Sequence, residues 1–115
     1  MNNIYVGIDP SVNSTGISIL VYDDNDNKLE EKFYIIKPDK LTKKENAAEL
    51  KNLAVFSYIL YDKMDITGNS NSENEVNKAI NFMSIVSEIK SIIMQTDFRY
   101  NRMNNIYICQ EGISY

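Results

Sequence analysis

The sequence predicts an α/β fold in which three antiparallel strands are followed by a helix and by a fourth strand parallel to the first. Three observations predict it. Apolar, β-rich runs recur at residues 3–9, 16–22 and 31–37, with turn-forming residues between them. A segment from Glu73 to Gln95 repeats its apolar residues at helical spacing. A further β-rich run, Ile106 to Glu111, follows that helix, and a strand that returns after a crossover helix lies parallel to the one it joins. The chain has 115 residues, enough for one small domain and one core.

The first run, Asn3-Ile4-Tyr5-Val6-Gly7-Ile8-Asp9, is apolar on both faces, which suits a central strand. Pro10 to Gly16 is turn chemistry. Gly16 to Tyr22 forms the second strand, Asp23 to Lys28 a polar hairpin turn, and Glu31 to Lys37 the third strand, which Pro38 ends. Thr42 and Glu45 stand in capping-box spacing, so a helix is expected from about Lys43 to Leu53, followed by an extended segment at Phe56 to Tyr61. Asp65 to Asn74 reads as a loop. Ser72 and Glu75 repeat the capping spacing ahead of the long helix. Val76, Ile80, Met83, Val86, Ile89 and Ile93 form its expected core stripe.

Composition excludes several function classes. The chain has no histidine and one cysteine, so a His-based triad, a histidine metal site and an internal disulfide are all excluded. Any metal must be held mainly by oxygen, which points to Mg²⁺ or Mn²⁺. There are 12 basic and 16 acidic side chains, for a net charge of −4, and no stretch is dense enough in Lys and Arg to form a nucleic-acid patch. Lys40, Lys43, Lys44 and Lys51 alternate with Glu45 and Glu49, the pattern of a solvated helix face. No apolar run is long enough to cross a bilayer, and no secretion signal opens the chain, so a cytoplasmic protein with no membrane partner is expected.

Asp23-Asp24-Asn25-Asp26-Asn27 has the density of a calcium loop. Lys28 stands where such a loop needs Gly, and Tyr34 where it needs Glu, so a hairpin turn is the better reading. Tyr58 and Tyr61 are expected in the core, and Cys109 as a buried structural thiol.

The informative pattern is a pair of acids. Asp9 and Glu111 each end an apolar strand, and parallel strands bring their C-terminal ends to one sheet edge, where open α/β sheets bind ligands. Neighbouring strands lie about 4.8 Å apart, so the two carboxylates can reach one cation.

The stretch Val6-Gly7-Ile8-Asp9-Pro10-Ser11-Val12-Asn13-Ser14-Thr15-Gly16-Ile17-Ser18 resembles the first motif of RuvC-like Holliday-junction resolvases of the RNase H-like superfamily. Gly7, Asp9, Pro10, Thr15 and Gly16 are in register with it, and Ser11 stands where that family most often has Gly. Ile106 to Tyr115 resembles the strand of that family that ends in a catalytic Glu, here Glu111, with an aromatic residue four positions on, here Tyr115. The resemblance implies an RNase H-like sheet and a two-metal, Mg²⁺-dependent (or Mn²⁺-dependent) endonuclease. Its catalytic and metal-binding residues would include Asp9 and Glu111, it would cleave branched DNA, and it would work as a homodimer in a virus, phage or mobile element. The same resemblance calls for two further acids on a helix after a fifth strand, which no residue here matches. An incomplete sheet and an N-terminal fragment with half of its catalytic acids are therefore expected. Two other readings stay open: an ATP-binding fold of the actin and sugar-kinase type, and a degenerate RNase H-like module that binds a partner through an open sheet edge.

Overall fold

The computed structural model describes residues 1–11, 14–38, 56–61, 63 and 71–111. They form a mixed five-stranded sheet and, among the described residues, one helix. In chain order the elements are β1 (Asn2–Asp9), β2 (Thr15–Tyr22), β3 (Lys28–Pro38), β4 (Phe56–Tyr61), α1 (Asn71–Arg99) and β5 (Asn104–Gln110). The strand order is β4-β3-β2-β1-β5.

The first three strands form the expected antiparallel meander, β1 against β2 and β2 against β3. Its tight link is closed by Asp23. The Asp23 carboxylate accepts the Asn25 and Asn27 backbone N–H groups, each at 2.9 Å, and the Asp23 N–H donates to the Asn27 carbonyl at 3.0 Å. Asp26 supplies the positive φ of 59° that the reversal needs. These acids serve a hairpin, as their sequence pattern indicated.

Pro38 is the last residue of β3, consistent with its missing N–H. The extended segment expected at Phe56 to Tyr61 becomes β4, a sheet edge parallel to β3. The helix expected over 43–53, the Lys40 to Lys51 pattern and Tyr115 lie outside the described residues. β5 pairs parallel with β1, which therefore lies inside the sheet, while β5 is its other edge.

Side chains alternate across each strand, so β1 and β2 send Ile4, Val6, Ile17, Ile19 and Val21 to one face, all buried. Ile36 from β3 and Tyr61 from β4 join them, and Ile92 of α1 packs on top with Ile85, Ile89 and Ile93 around it. Tyr61 thus sits in the core as expected. Burying such aliphatic side chains contributes about 1.5–3 kcal/mol each, the main favourable term in the fold. Thr96, also fully buried, satisfies its hydroxyl on the Ile92 carbonyl at 2.9 Å.

The helix begins at Asn71, two residues earlier than the Glu73 start read from the sequence, so Ser72 lies inside its first turn. Its C-terminus is a Schellman cap. Asn101 takes φ 68°, the Arg102 N–H reaches the Asp97 carbonyl at 2.8 Å, and the Asn101 N–H reaches the Phe98 carbonyl at 3.2 Å. Arg99 then ties this end of the helix to the start of β3, its Nη2 lying 2.8 and 2.9 Å from the two Glu30 carboxylate oxygens.

Two expectations are corrected. The predicted core stripe is only partly core: Ile89 and Ile93 pack against the sheet, whereas Val76, Ile80, Met83 and Val86 are exposed. The helix carries apolar residues on two faces, and the sheet takes the one bearing Ile85, Ile89 and Ile92. The N-terminal half turns Asn77 and Asn81 inward instead. Cys109 is exposed, not buried. An edge strand has a neighbour on one side only, and Ile106, Tyr107 and Ile108 around the thiol are exposed as well.

Candidate functional site

The β1–β5 register decides the site. Gly7 stands opposite Cys109 and Ile8 opposite Gln110, so the next pair along is Asp9 and Glu111. Glu111 lies one residue past the end of β5. Its N–H donates to the Ile8 carbonyl at 3.0 Å, which extends the parallel pairing by one bond and holds Glu111 beside Asp9. The structure therefore brings together the two acids read from the sequence, at the C-terminal ends of adjacent parallel strands.

Both carboxylates lie on the sheet face opposite α1 and line one shallow concavity of about 360 Å³. Its floor comes from Gly7, Gly16 and Ser18, and its walls from Phe33, Ile35 and Cys109. The small residues make the depression. Gly16 is the cross-strand partner of Asp9, so no side chain competes for the space beside that carboxylate. A Cβ on Gly7 would lie 2.5 Å from the Ser18 Oγ. No glycine has positive φ, so what these positions require is room rather than an unusual backbone.

Asp9 and Glu111 are both exposed, and among the described residues neither has a salt-bridge partner. Among the described residues there is no cluster of three or more Asp, Glu, Cys or His side chains that could enclose a metal ion. The donor set is two carboxylates, oxygen donors of the kind that hard cations take. It does not by itself fit a closed pair of ions.

Sequence reading missed Ser18 and Cys109 as lining residues. Their signal is the period of two: Cys109 shares a face with Glu111, and Gly7 shares a face with Asp9. The same face continues away from the acids as an aromatic row. The Tyr5 and Tyr107 rings stack with centroids 5.3 Å apart, and Tyr22 meets Tyr5 edge-on at 5.8 Å.

Compared with protein-family models, with curated proteins and with solved structures, the chain gives no match. No described helix is long and apolar enough to cross a membrane.

Proposed function

We propose that this chain carries the first half of an RNase H-like, RuvC-type nuclease site, and that the protein it serves is a Mg²⁺-dependent (or Mn²⁺-dependent) endonuclease acting on branched DNA. One observation carries the reading: Asp9 and Glu111 stand side by side at the C-terminal ends of parallel β1 and β5 and line one open concavity. The Asp9 motif, with Pro10 and the Thr15-Gly16 pair that opens β2, supports it, since it resembles the motif that begins such sites.

In this reading Asp9 and Glu111 hold a divalent cation. Such a cation, held by Asp9 and Glu111, would supply Lewis-acid stabilisation of charge on a phosphodiester oxygen. Gly7 and Gly16 leave room for a phosphate to approach the carboxylates. Two-metal chemistry needs further oxygen ligands, which the described residues do not place at this edge, so the reading requires them from elsewhere in the active assembly. The same holds for a basic surface to receive DNA, given the net charge of −4.

The test is Mg²⁺-dependent cleavage of a four-way DNA junction by the full-length protein. Asp9→Asn and Glu111→Gln should each slow cleavage by roughly 100-fold or more, because a lost metal ligand removes several kcal/mol of charge stabilisation. Unchanged cleavage by both variants would remove Asp9 and Glu111 from the mechanism.

A further inference from the structure

The sheet face opposite α1 carries an aromatic step beside the acids. Tyr5 and Tyr107 stand opposite each other in the β1–β5 register, and their rings stack with centroids 5.3 Å apart and planes 17° apart. Tyr22 meets Tyr5 edge-on at 5.8 Å, which closes the inner end of the row. The outer end is free. β5 is a sheet edge and Tyr107 is 52% exposed, so among the described residues its outer ring face is open. An open ring face at the end of a row that is already stacked is a place for one more planar group.

The surroundings suit a nucleobase. Asn3, Leu20, Tyr22 and Asn105 are the register neighbours of the step on this face, and none carries a charge. The Asn105 side-chain amide donates to the Asn3 Oδ1 at 3.0 Å, so amides border the step. The step is also continuous with the acids. Tyr5 and Tyr107 precede Asp9 and Glu111 by four residues on the same two strands, hence on the same face, roughly 13 Å away by the rise of a strand. Gly7 and Cys109 lie between them, opposite each other, and line the concavity of the acids. Charges are screened over about 8 Å at physiological ionic strength, so the carboxylates do little to repel a strand at the step. A base within a duplex is already stacked on both sides. A base in a flap, gap or single-stranded arm has a face to offer.

We infer that Tyr107, backed by Tyr5, receives one unpaired base of the DNA whose phosphodiester lies at Asp9 and Glu111, so that this site takes branches bearing single-stranded nucleotides in preference to junctions paired throughout. The inference rests on the nuclease reading of the same face. Tyr107 touches the substrate away from the cut and selects it. Tyr5 is a positioning residue that supports the Tyr107 ring from behind. Stacking tolerates any base, so the preference is for structure and not for sequence.

Two DNA probes test it on the full-length protein: a four-way junction with every base paired, and a fork with a single-stranded arm. Fluorescence anisotropy in Ca²⁺ gives their affinities, and cleavage is followed separately in Mg²⁺. 2-Aminopurine in the arm of the fork should be quenched when the wild-type protein binds. Tyr107→Ala should weaken fork binding at least about fivefold, the scale of one lost base stack, and junction binding less than about twofold. Tyr107→Phe keeps the ring and should bind the fork as the wild type does. Binding and cleavage fail independently. Tyr107-dependent fork binding without cleavage of either probe would uphold the stacking site and remove the nuclease. Cleavage of the junction by a protein whose fork binding is indifferent to Tyr107→Ala would overturn the stacking site and keep the nuclease. A fork that the wild-type protein does not bind, a loss equal on both probes, a loss shared by Tyr107→Phe, or an unquenched 2-aminopurine would each overturn the inference.

Discussion

The backbone N–H of Glu111 donates to the Ile8 carbonyl at 3.0 Å, which fixes Glu111 level with Asp9 across the parallel β1–β5 pair. A main-chain bond, not a side-chain contact, thus sets the register of the two acidic residues. Mutating one carboxylate should leave the other in place. We expect Mn²⁺ to bind the wild-type chain and Asp9→Asn to weaken binding at least tenfold, about 1.4 kcal/mol. Glu111→Gln should behave similarly. Water-proton relaxation in a Mn²⁺ titration checks this, and equal affinity in all three proteins would show that the carboxylates share no cation.

Gly7 gives the concavity its floor. The atom that a Gly7→Ala methyl would meet is the Ser18 hydroxyl, the movable end of a short side chain. Gly7→Ala should therefore cost only about 0.5–1.5 kcal/mol, the scale of one displaced rotamer, and Ser18→Ala should recover most of it. Gly7→Leu should also fill the depression and weaken Mn²⁺ binding although both acids remain. Urea denaturation together with the same titration separates the two effects.

Cys109 is exposed on the face it shares with the acids. A bulky maleimide should label it in the native protein about as fast as in the urea-unfolded chain. Labelling should then weaken Mn²⁺ binding, whereas the Cys109→Ser protein should be indifferent to the reagent. Protection of the thiol in the folded state would show that Cys109 is covered in solution.

Arg99 and Glu30 join α1 to β3 with side chains that are only partly shielded, 44% and 21% exposed. At such exposure a double-mutant cycle of Arg99→Ala and Glu30→Ala should give a coupling of about 0.5–1 kcal/mol. The coupling should shrink in high salt as the Debye length shortens. Thermal melts of the four proteins at two salt concentrations measure it.

Two phenols contribute to a loss of stability at alkaline pH. Burial raises the pKa of Tyr61 above 10.0, and burial followed by the nearby Glu30 carboxylate raises that of Tyr100, with Arg99 opposing. The folded state holds both phenolic protons more tightly than the unfolded chain does. That stabilisation is fully present below the unfolded value of 10.0 and is lost as pH rises through the folded values. Stability should therefore fall above pH 10. Tyr100→Phe should flatten part of the fall, as followed by denaturant midpoints against pH. An unchanged slope in Tyr100→Phe would assign the alkaline loss to other groups.

Much of the fold was legible because the responsible interactions are local. Asp23 and its neighbours form their turn through bonds within five residues, so their meaning could be read in place. The β-rich run from Gly16 to Tyr22 between two turns marks β2 in place. The parallel placement of β5 followed from the handedness of crossovers. Less legible was α1, where apolar residues occupy two faces and periodicity alone cannot say which one meets the sheet. Met83 and Ile92 are both apolar and helical, yet one is exposed and the other is 4% exposed. The edge position of β5, which exposes Cys109, was equally hidden, because a strand's own residues do not say whether a second neighbour exists.

What the sequence by itself determined was the antiparallel meander with its hairpin, the central β1, the long helix with its parallel following strand, and the two acids at strand ends, since period, turn chemistry and chain handedness act over short distances. The tertiary structure decided the rest: the registration of Glu111 with Asp9, the concavity floored by Gly7 and Gly16, the side of α1 that packs, and the exposure of Cys109. Each of these depends on which surfaces, distant in the chain, come to lie within a few ångströms of one another, and that is settled by burial and backbone pairing across the whole sheet.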